Sequence, residues 1–229
     1  MEEIKVIPLP LPFRLGTVNC YLVETGTGFV LIDTGAANKR DELERELASA
    51  GCKPGKLALI VLTHGDFDHT GNAAYLCDKF GAKIAMHQDD SGMAEHADMF
   101  WNRSSGNAII RILAPILFRF SKANRFEPDF HVDEGYDLSE YGFGAQVLSI
   151  PGHSKGSIGI LTADLDLFCG DLLENTDKPA TNSIMDDPEA CESSLEKLES
   201  FEINLVYPGH GKPVAIEQFT SSRQQSSQG

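Results

Sequence analysis

The chain has 229 residues, 41% of them hydrophobic, which is enough to bury a substantial core without covalent help. Its 19 Lys and Arg stand against 34 Asp and Glu, a net charge of -15. That balance argues against a nucleic-acid partner, whose affinity comes mostly from cations laid on phosphates. Cys20, Cys52, Cys77, Cys169 and Cys191 are odd in number, scattered and without a Cys-x-x-Cys pair, so reduced thiols are expected rather than a disulfide framework or a thiolate zinc knuckle.

The start, Met1-Glu2-Glu3-Ile4-Lys5, lacks the basic and apolar run of a signal peptide, so a cytoplasmic location is expected. Short apolar runs bounded by Gly, Pro or Asp read as buried strands at Tyr21 to Val23, Gly28 to Ile32, Ala58 to Leu62 and Lys83 to Met86. Further runs follow at Ala145 to Ile150, Ser157 to Leu161, Asp166 to Cys169 and Asn204 to Tyr207. Helical patterns lie between them. Asn38 to Ala50 carries Leu43 and Leu47 four residues apart and stops at Gly51; Asn72 to Phe80 stops at Gly81; Pro188 to Ser200 has Pro at its start and Leu195 and Leu198 on one face. The mixture predicts an α/β fold. One domain is expected over residues 1–217, with a basic, apolar helical insert at about 88–141 and a disordered Ser/Gln-rich tail over 218–229.

The insert holds an island of its own character. From Met99 to Phe126 there is no Asp or Glu, while Arg103, Arg111, Arg119, Lys122 and Arg125 sit among large apolar residues. Arg103, Arg111 and Arg119 would share a face if the segment were one helix, which Pro115 should interrupt. Three readings compete: packing or a homodimer contact through 99–126, a lid over an apolar pocket whose Arg residues meet an anionic group, and a membrane-surface anchor. The apolar stretch Ala108 to Phe120 is interrupted by charge and falls short of the roughly 20 residues that span a bilayer, so no transmembrane segment is expected.

Four strand-like runs stop at residues able to bind metal: Thr63-His64, Pro151-Gly152-His153, Gly170-Asp171 and Pro208-Gly209-His210. Ligands in α/β proteins gather beyond the carboxyl ends of strands, so residues distant in sequence converge there. In His64-Gly65-Asp66-Phe67-Asp68-His69 the first three ligand types alternate, which in an extended stretch points them one way, and His69 follows where the chain turns toward a helix. A lone Pro-Gly-His is commonly just a turn, but four such ends together predict one shared site. Imidazole and carboxylate donors suit zinc, iron or manganese. His87, His96 and His131 lie outside these turns and read as structural or surface residues, and Lys155 as solvent-facing.

Thr63 to His69, Gly152-His153, Gly170-Asp171 and Gly209-His210 together resemble the signature of the metallo-beta-lactamase superfamily, and Val30 to Gly35 resembles its early strand, whose Asp supports the site. The resemblance runs roughly from Asn19 to Pro213 and is weakest between Gln88 and Tyr141. It implies an αββα sandwich with the site at one edge, binding two divalent ions, zinc first, with iron or manganese as alternatives. It also implies that His64, Asp66 and His153 hold one ion, that Asp68, His69 and His210 hold the other, and that Asp171 bridges them. A metal-bound water or hydroxide would be the nucleophile, and Asp68 and Asp171 the catalytic carboxylates.

The family usually has histidine where this chain has Asp66. A third carboxylate makes the centre one charge unit less positive, weakens the ions as Lewis acids and tilts the first position toward iron or manganese, or toward weak occupancy. The resemblance implies a metal-dependent hydrolase of a small-molecule ester, thioester or lactone. A diiron oxidoreductase and a non-catalytic metal-binding protein are the competing expectations.

Overall fold

The computed structural model describes residues 3–12, 16–103, 113, 116–119 and 121–226, the side chains of 223–226 excepted. The first half of the chain builds strands β1 (Glu3–Pro10), β2 (Thr17–Thr25), β3 (Gly28–Ile32), β4 (Leu57–Val61), β5 (Lys83–Met86) and β6 (Phe130–His131), with helices α1 (Arg40–Ser49), α2 (Phe67–Thr70), α3 (Ala73–Phe80) and α4 (Gln88–His96) between them. The second half supplies β7 (Ala145–Ser149), β8 (Ile158–Thr162), β9 (Leu167–Asn175), β10 (Ala180–Thr181), β11 (Leu205–Gly211) and β12 (Val214–Ala215). Its helices are α5 (Pro188–Leu198) and α6 (Ile216–Ser226).

These runs become strands because they are apolar on both faces, the pattern of strands covered from two sides. Residues 29–32 of β3 and all five of β8 are buried. The strand order is β6-β5-β4-β3-β2-β11-β9-β8-β7, with β1, β10 and β12 pairing with β2, β9 and β11. β3 through β6 run parallel, whereas β7, β8 and β9 are antiparallel. Among the described residues the pairing of His210 with Val18 joins β11 to β2 and so the two halves.

Three apolar cores show how the halves stack. Leu43 and Leu47 of α1 and Leu76 and Phe80 of α3 pack on the outer face of the first half with Leu22, Leu31 and Ile60. Val23, Val30, Ile32, Leu59 and Val61 meet Val147, Ile158, Ile160 and Phe168 between the halves. Leu195 and Leu198 of α5 and Phe219 of α6 cover the outer face of the second half with Leu148 and Leu161. Helix, sheet, sheet, helix is the αββα sandwich. Helix ends follow local chemistry: Asp187 caps α5 by accepting from the backbone N–H of Glu189 and Ala190, and Pro188 occupies its first turn.

Several expectations change. The tail expected to be disordered from Gln218 is helical through Ser226, because Phe219 is a buried anchor that fastens an otherwise polar segment; 227–229 lie outside the described residues. The insert at 88–141 is not wholly helical: α4 buries Met93 and Ala94, and β6 adds an edge strand to β5. β1 has no counterpart among the expected strands; its alternation of buried Ile7 and Leu9 with exposed Pro8 and Pro10 is the period of an edge strand. Arg103 lies outside any helix, while Arg111 and Pro115, on which the single-face, lid, dimer and membrane readings turned, lie outside the described residues. Among the described residues no helix is long and apolar enough to cross a membrane, and all five cysteines are free thiols.

Candidate metal centre

Seven residues expected as ligands converge at one edge of the sandwich. β4 delivers Thr63-His64; α2, one turn long, carries Asp68 and His69; the loop after β7 carries His153; β9 and β11 carry Asp171 and His210. Two strands therefore run through their ligand residues rather than stopping before them. Register shifts at Tyr207/Pro208 and Pro208/His210 let the β9–β11 ladder continue while the chain kinks. The extended alternation of His64, Asp66 and Asp68 also gives way early: Asp66 is the extended N-cap of α2, and its carbonyl accepts from the N–H of His69 and Thr70. The first helical turn thus swings Asp68 and His69 away from Asp66.

His64, Asp66 and His153 form one trio whose ligand atoms lie within 4.8 Å of one another, and Asp68, His69 and His210 form another. A third group, His64, His69 and Asp171, meets the same spacing and crosses the two trios. Asp171 lies between them, its Oδ2 3.2 Å from His210 Nε2, 3.9 Å from His153 Nε2 and 4.0 Å from His64 Nε2, its Oδ1 3.3 Å from His69 Nε2. Bonds of ~2.0–2.1 Å to a tetrahedral ion put ligand atoms about 3.3 Å apart, so these spacings suit shared ions. Gly209 is required here: a Cβ on it would lie 2.1 Å from Asp171 Oδ1.

Each imidazole is oriented by its other nitrogen. His69 Nδ1 meets Asp33 Oδ2 at 2.8 Å, His153 Nδ1 meets the Ile184 carbonyl at 2.7 Å, and His210 Nδ1 meets the Thr17 carbonyl at 2.8 Å. Carboxylate and carbonyl oxygens only accept, so these Nδ1 atoms carry the proton and Nε2 is turned inward, without a partner in His69 and meeting Asp66 Oδ2 at 3.0 Å in His153. His64 follows through Thr63, whose hydroxyl gives its one proton to Asp33 Oδ2 and accepts from His64 Nδ1. Asp33 also accepts the Thr63 N–H at 2.8 Å and sits at a left-handed φ of 58°. The inward result is a set of orphans: His64 Nε2, His69 Nε2 and Asp171 Oδ1 are buried without a hydrogen-bond partner. Buried polar atoms are rarely left so, and a cation among them would satisfy all three.

The electrostatics make the same demand. Burial opposes protonation of His69, but Asp171, Asp33 and Asp68 outweigh it and hold its pKa well above the ordinary imidazole value. His210 behaves alike: despite burial, Asp171 and Asp68 raise its pKa to about 9. His64 goes the other way, lowered by burial and by His69 and His153. The carboxylates thus draw positive charge into the site, as protons when no metal is bound. Burial raises the pKa of Asp68 against the pull of His69 and His210, whereas Asp171 is held well below the carboxylate range by those histidines in spite of burial.

The family model described as the metallo-beta-lactamase superfamily matches residues 13–210. The chain belongs to that superfamily. A probable metallo-hydrolase of Bacillus subtilis, YqjP, is 27% identical over 95% of this chain and 74% of its own length. Hydroxyacylglutathione hydrolase GloC of Haemophilus influenzae is 28% identical over 91% of this chain and 92% of its own. The crystal structure of TTHA1623 in a di-iron-bound form matches with a TM-score of 0.70 and 30% identity, over 93% of this chain and 96% of that one. As a member of this metallo-beta-lactamase superfamily, the chain is a metal-dependent hydrolase.

Sequence reasoning missed two charged partners of the centre. Asp90, fully buried on α4, accepts from the Gly65 N–H, the Gly156 N–H and the Ser154 hydroxyl at 2.9, 2.9 and 2.6 Å, tying the His64 loop to the His153 loop. Arg103 places Nη1 2.7 Å from Asp66 Oδ1. A third buried carboxylate needs a countercharge, and the basic island was the place to look, but five cations there were equivalent in sequence. The remaining histidines serve elsewhere: His87 Nδ1 accepts from the Asp89 N–H, His96 stacks on Trp101, and His131 is exposed, as is Lys155.

Proposed function

We propose that the chain hydrolyses a small ester, thioester or lactone, with His64, Asp66 and His153 holding one divalent ion, Asp68, His69 and His210 a second, and Asp171 shared. The observation that carries this reading is the pair of trios around Asp171, their imidazoles turned inward by Nδ1 partners, with His64 Nε2, His69 Nε2 and Asp171 Oδ1 buried among them without a hydrogen-bond partner. Divalent ions bound there would lower the pKa of a water from 15.7 toward about 7 and polarise a carbonyl.

The chain's own residues do the rest. Asp33 and Thr63 fix the proton positions of His69 and His64, and Asp171 spans the two trios. Asp68, with 13% side-chain exposure, and His210, with 14%, are the most exposed of the seven residues, which supports substrate approach from their side. The acidic surface disfavours polyanionic substrates, and the name of the GloC relative supports a thioester among small acyl compounds. Asp66 adds a hard oxygen donor, which favours iron or manganese at the first position more than an all-histidine set does.

The test is a panel of lactones, thioesters, aryl esters and phosphodiesters, offered to protein loaded with zinc or with iron, with metal content measured in parallel. Turnover of acyl substrates, lost in Asp171→Ala, is expected. Silence across the panel at full occupancy would sink the assignment.

A further inference from the structure

Asp66 divides its carboxylate between two partners. Oδ2 faces the site, 3.0 Å from His153 Nε2 and 3.8 Å from His64 Nε2, whereas Oδ1 lies 2.7 Å from Arg103 Nη1. Arg103 is itself held, with Nε 2.7 Å from Asp186 Oδ2, and its side chain is only 5% exposed. The contacts are charge on charge rather than aligned hydrogen bonds, since Asp66 Oδ1 and Arg103 Nε have no hydrogen-bond partner. The Asp186 segment is locked to the same half of the site. The N–H groups of Asp186 and Asp187 donate to the Gly152 carbonyl, beside His153, and the Ile184 carbonyl takes His153 Nδ1.

A guanidinium cannot give up its proton in a protein, so Arg103 can neither become a ligand nor lose its charge. Its fixed positive charge sits across one carboxylate from the first trio and draws density from the oxygen pair that trio relies on. It also keeps Asp66 from offering both oxygens to an ion. The second trio has no such neighbour: Asp68 Oδ2 faces His210 Nε2 at 3.6 Å, and no guanidinium or ammonium is paired with it among the described residues.

We propose that Arg103 makes the two metal positions unequal: it limits Asp66 to one oxygen and lowers the affinity of the His64–Asp66–His153 position, so that the Asp68–His69–His210 position fills first. The inference rests on the assignment of the two trios made under Proposed function, and it assigns Arg103 as a positioning residue, not a catalytic one.

The test is titration of chelator-stripped protein with Co2+, followed by the visible ligand-field spectrum, with metal content measured after dialysis. Wild type is expected to load in two phases and to keep one ion on dialysis. Arg103→Met, which keeps bulk without charge, should tighten the weak phase by about ten- to a hundredfold, the range of neighbours that tune metal ligands, and leave the tight phase unchanged. Arg103→Lys should keep the two phases. If Arg103→Met fails to fold, Arg103→Met combined with Asp186→Asn removes both charges and carries the same expectation. Equal affinities in wild type, or a weak phase unmoved or weakened in the neutral variants, would overturn the proposal. Absence of uptake at either position would overturn it together with the hydrolytic reading. Two unequal phases, the weak one tightened in Arg103→Met, beside a silent substrate panel would support Arg103's role and remove only the hydrolytic reading.

Discussion

Asp33→Asn isolates the orienting network from the ligands themselves. Three donors converge on the two Asp33 oxygens: the Thr63 N–H on Oδ1, and the Thr63 hydroxyl and His69 Nδ1 on Oδ2, each at 2.8 Å. An amide offers one oxygen and one NH2, so one side must fail. If the NH2 faces His69, Nδ1 has to accept, the ring proton moves to Nε2 and the ligand is blocked. Loss of such a partner costs about 10- to 100-fold in metal affinity, or about 1.4 to 2.8 kcal/mol. If the amide flips, two donors face each other at the Thr63 N–H, and a buried unsatisfied donor costs about 1–3 kcal/mol of stability. Chelator competition measures the first branch, urea unfolding of the metal-free chain the second, and the 15N shifts of His69 report which nitrogen carries the proton. A variant with unchanged affinity, stability and tautomer would refute the claim that Asp33 sets the site.

Gly209→Ala should strip metal from both positions, because its Cβ would meet Asp171 Oδ1 at 2.1 Å; metal content after dialysis reads the loss. Asp90→Asn keeps shape but weakens the staple between the two ligand loops, and should cost about 1.5–3 kcal/mol in urea unfolding, the range for hydrogen bonds to a charged group. Burial opposes but Asp171 and Asp68 raise the metal-free His210 pKa to about 9, so below pH 9 an ion must displace a proton. Affinity at that position should therefore rise with pH and level off above about 9, with proton release seen as a buffer-dependent heat in calorimetry. Asp66→His alone should destabilise the chain, because the buried Arg103 guanidinium keeps only Asp186 of its two carboxylate partners. Combined with Arg103→Met, thermal unfolding should recover and metal preference shift toward zinc.

The candidate ligands were legible because their pattern is local. His64, Asp66, Asp68 and His69 fall within six residues, and His153, Asp171 and His210 each sit in a Gly-marked turn next to an apolar run. The strands were legible for the same reason, since burial on both faces writes a continuous apolar run into the chain. α4 was not legible: its buried Asp90 and Ser91 follow no amphipathic pattern, because that face packs on polar loops of the site. Nor was α6, which is anchored among its described side chains by buried Phe219 and half-buried Ile216 in a polar sequence.

Composition and spacing thus determined the α/β class and the identity of the residues gathered at the centre. Tertiary structure alone decided how they are charged and aimed. Asp33 is 36 residues from His69, Asp90 is 66 from Gly156, and Arg103 reaches Asp66 from a segment in which nothing local distinguishes it from four other cations. A ligand type is a property of a residue and can be read in the chain. The proton it carries and the countercharge beside it are properties of neighbours brought together only by folding.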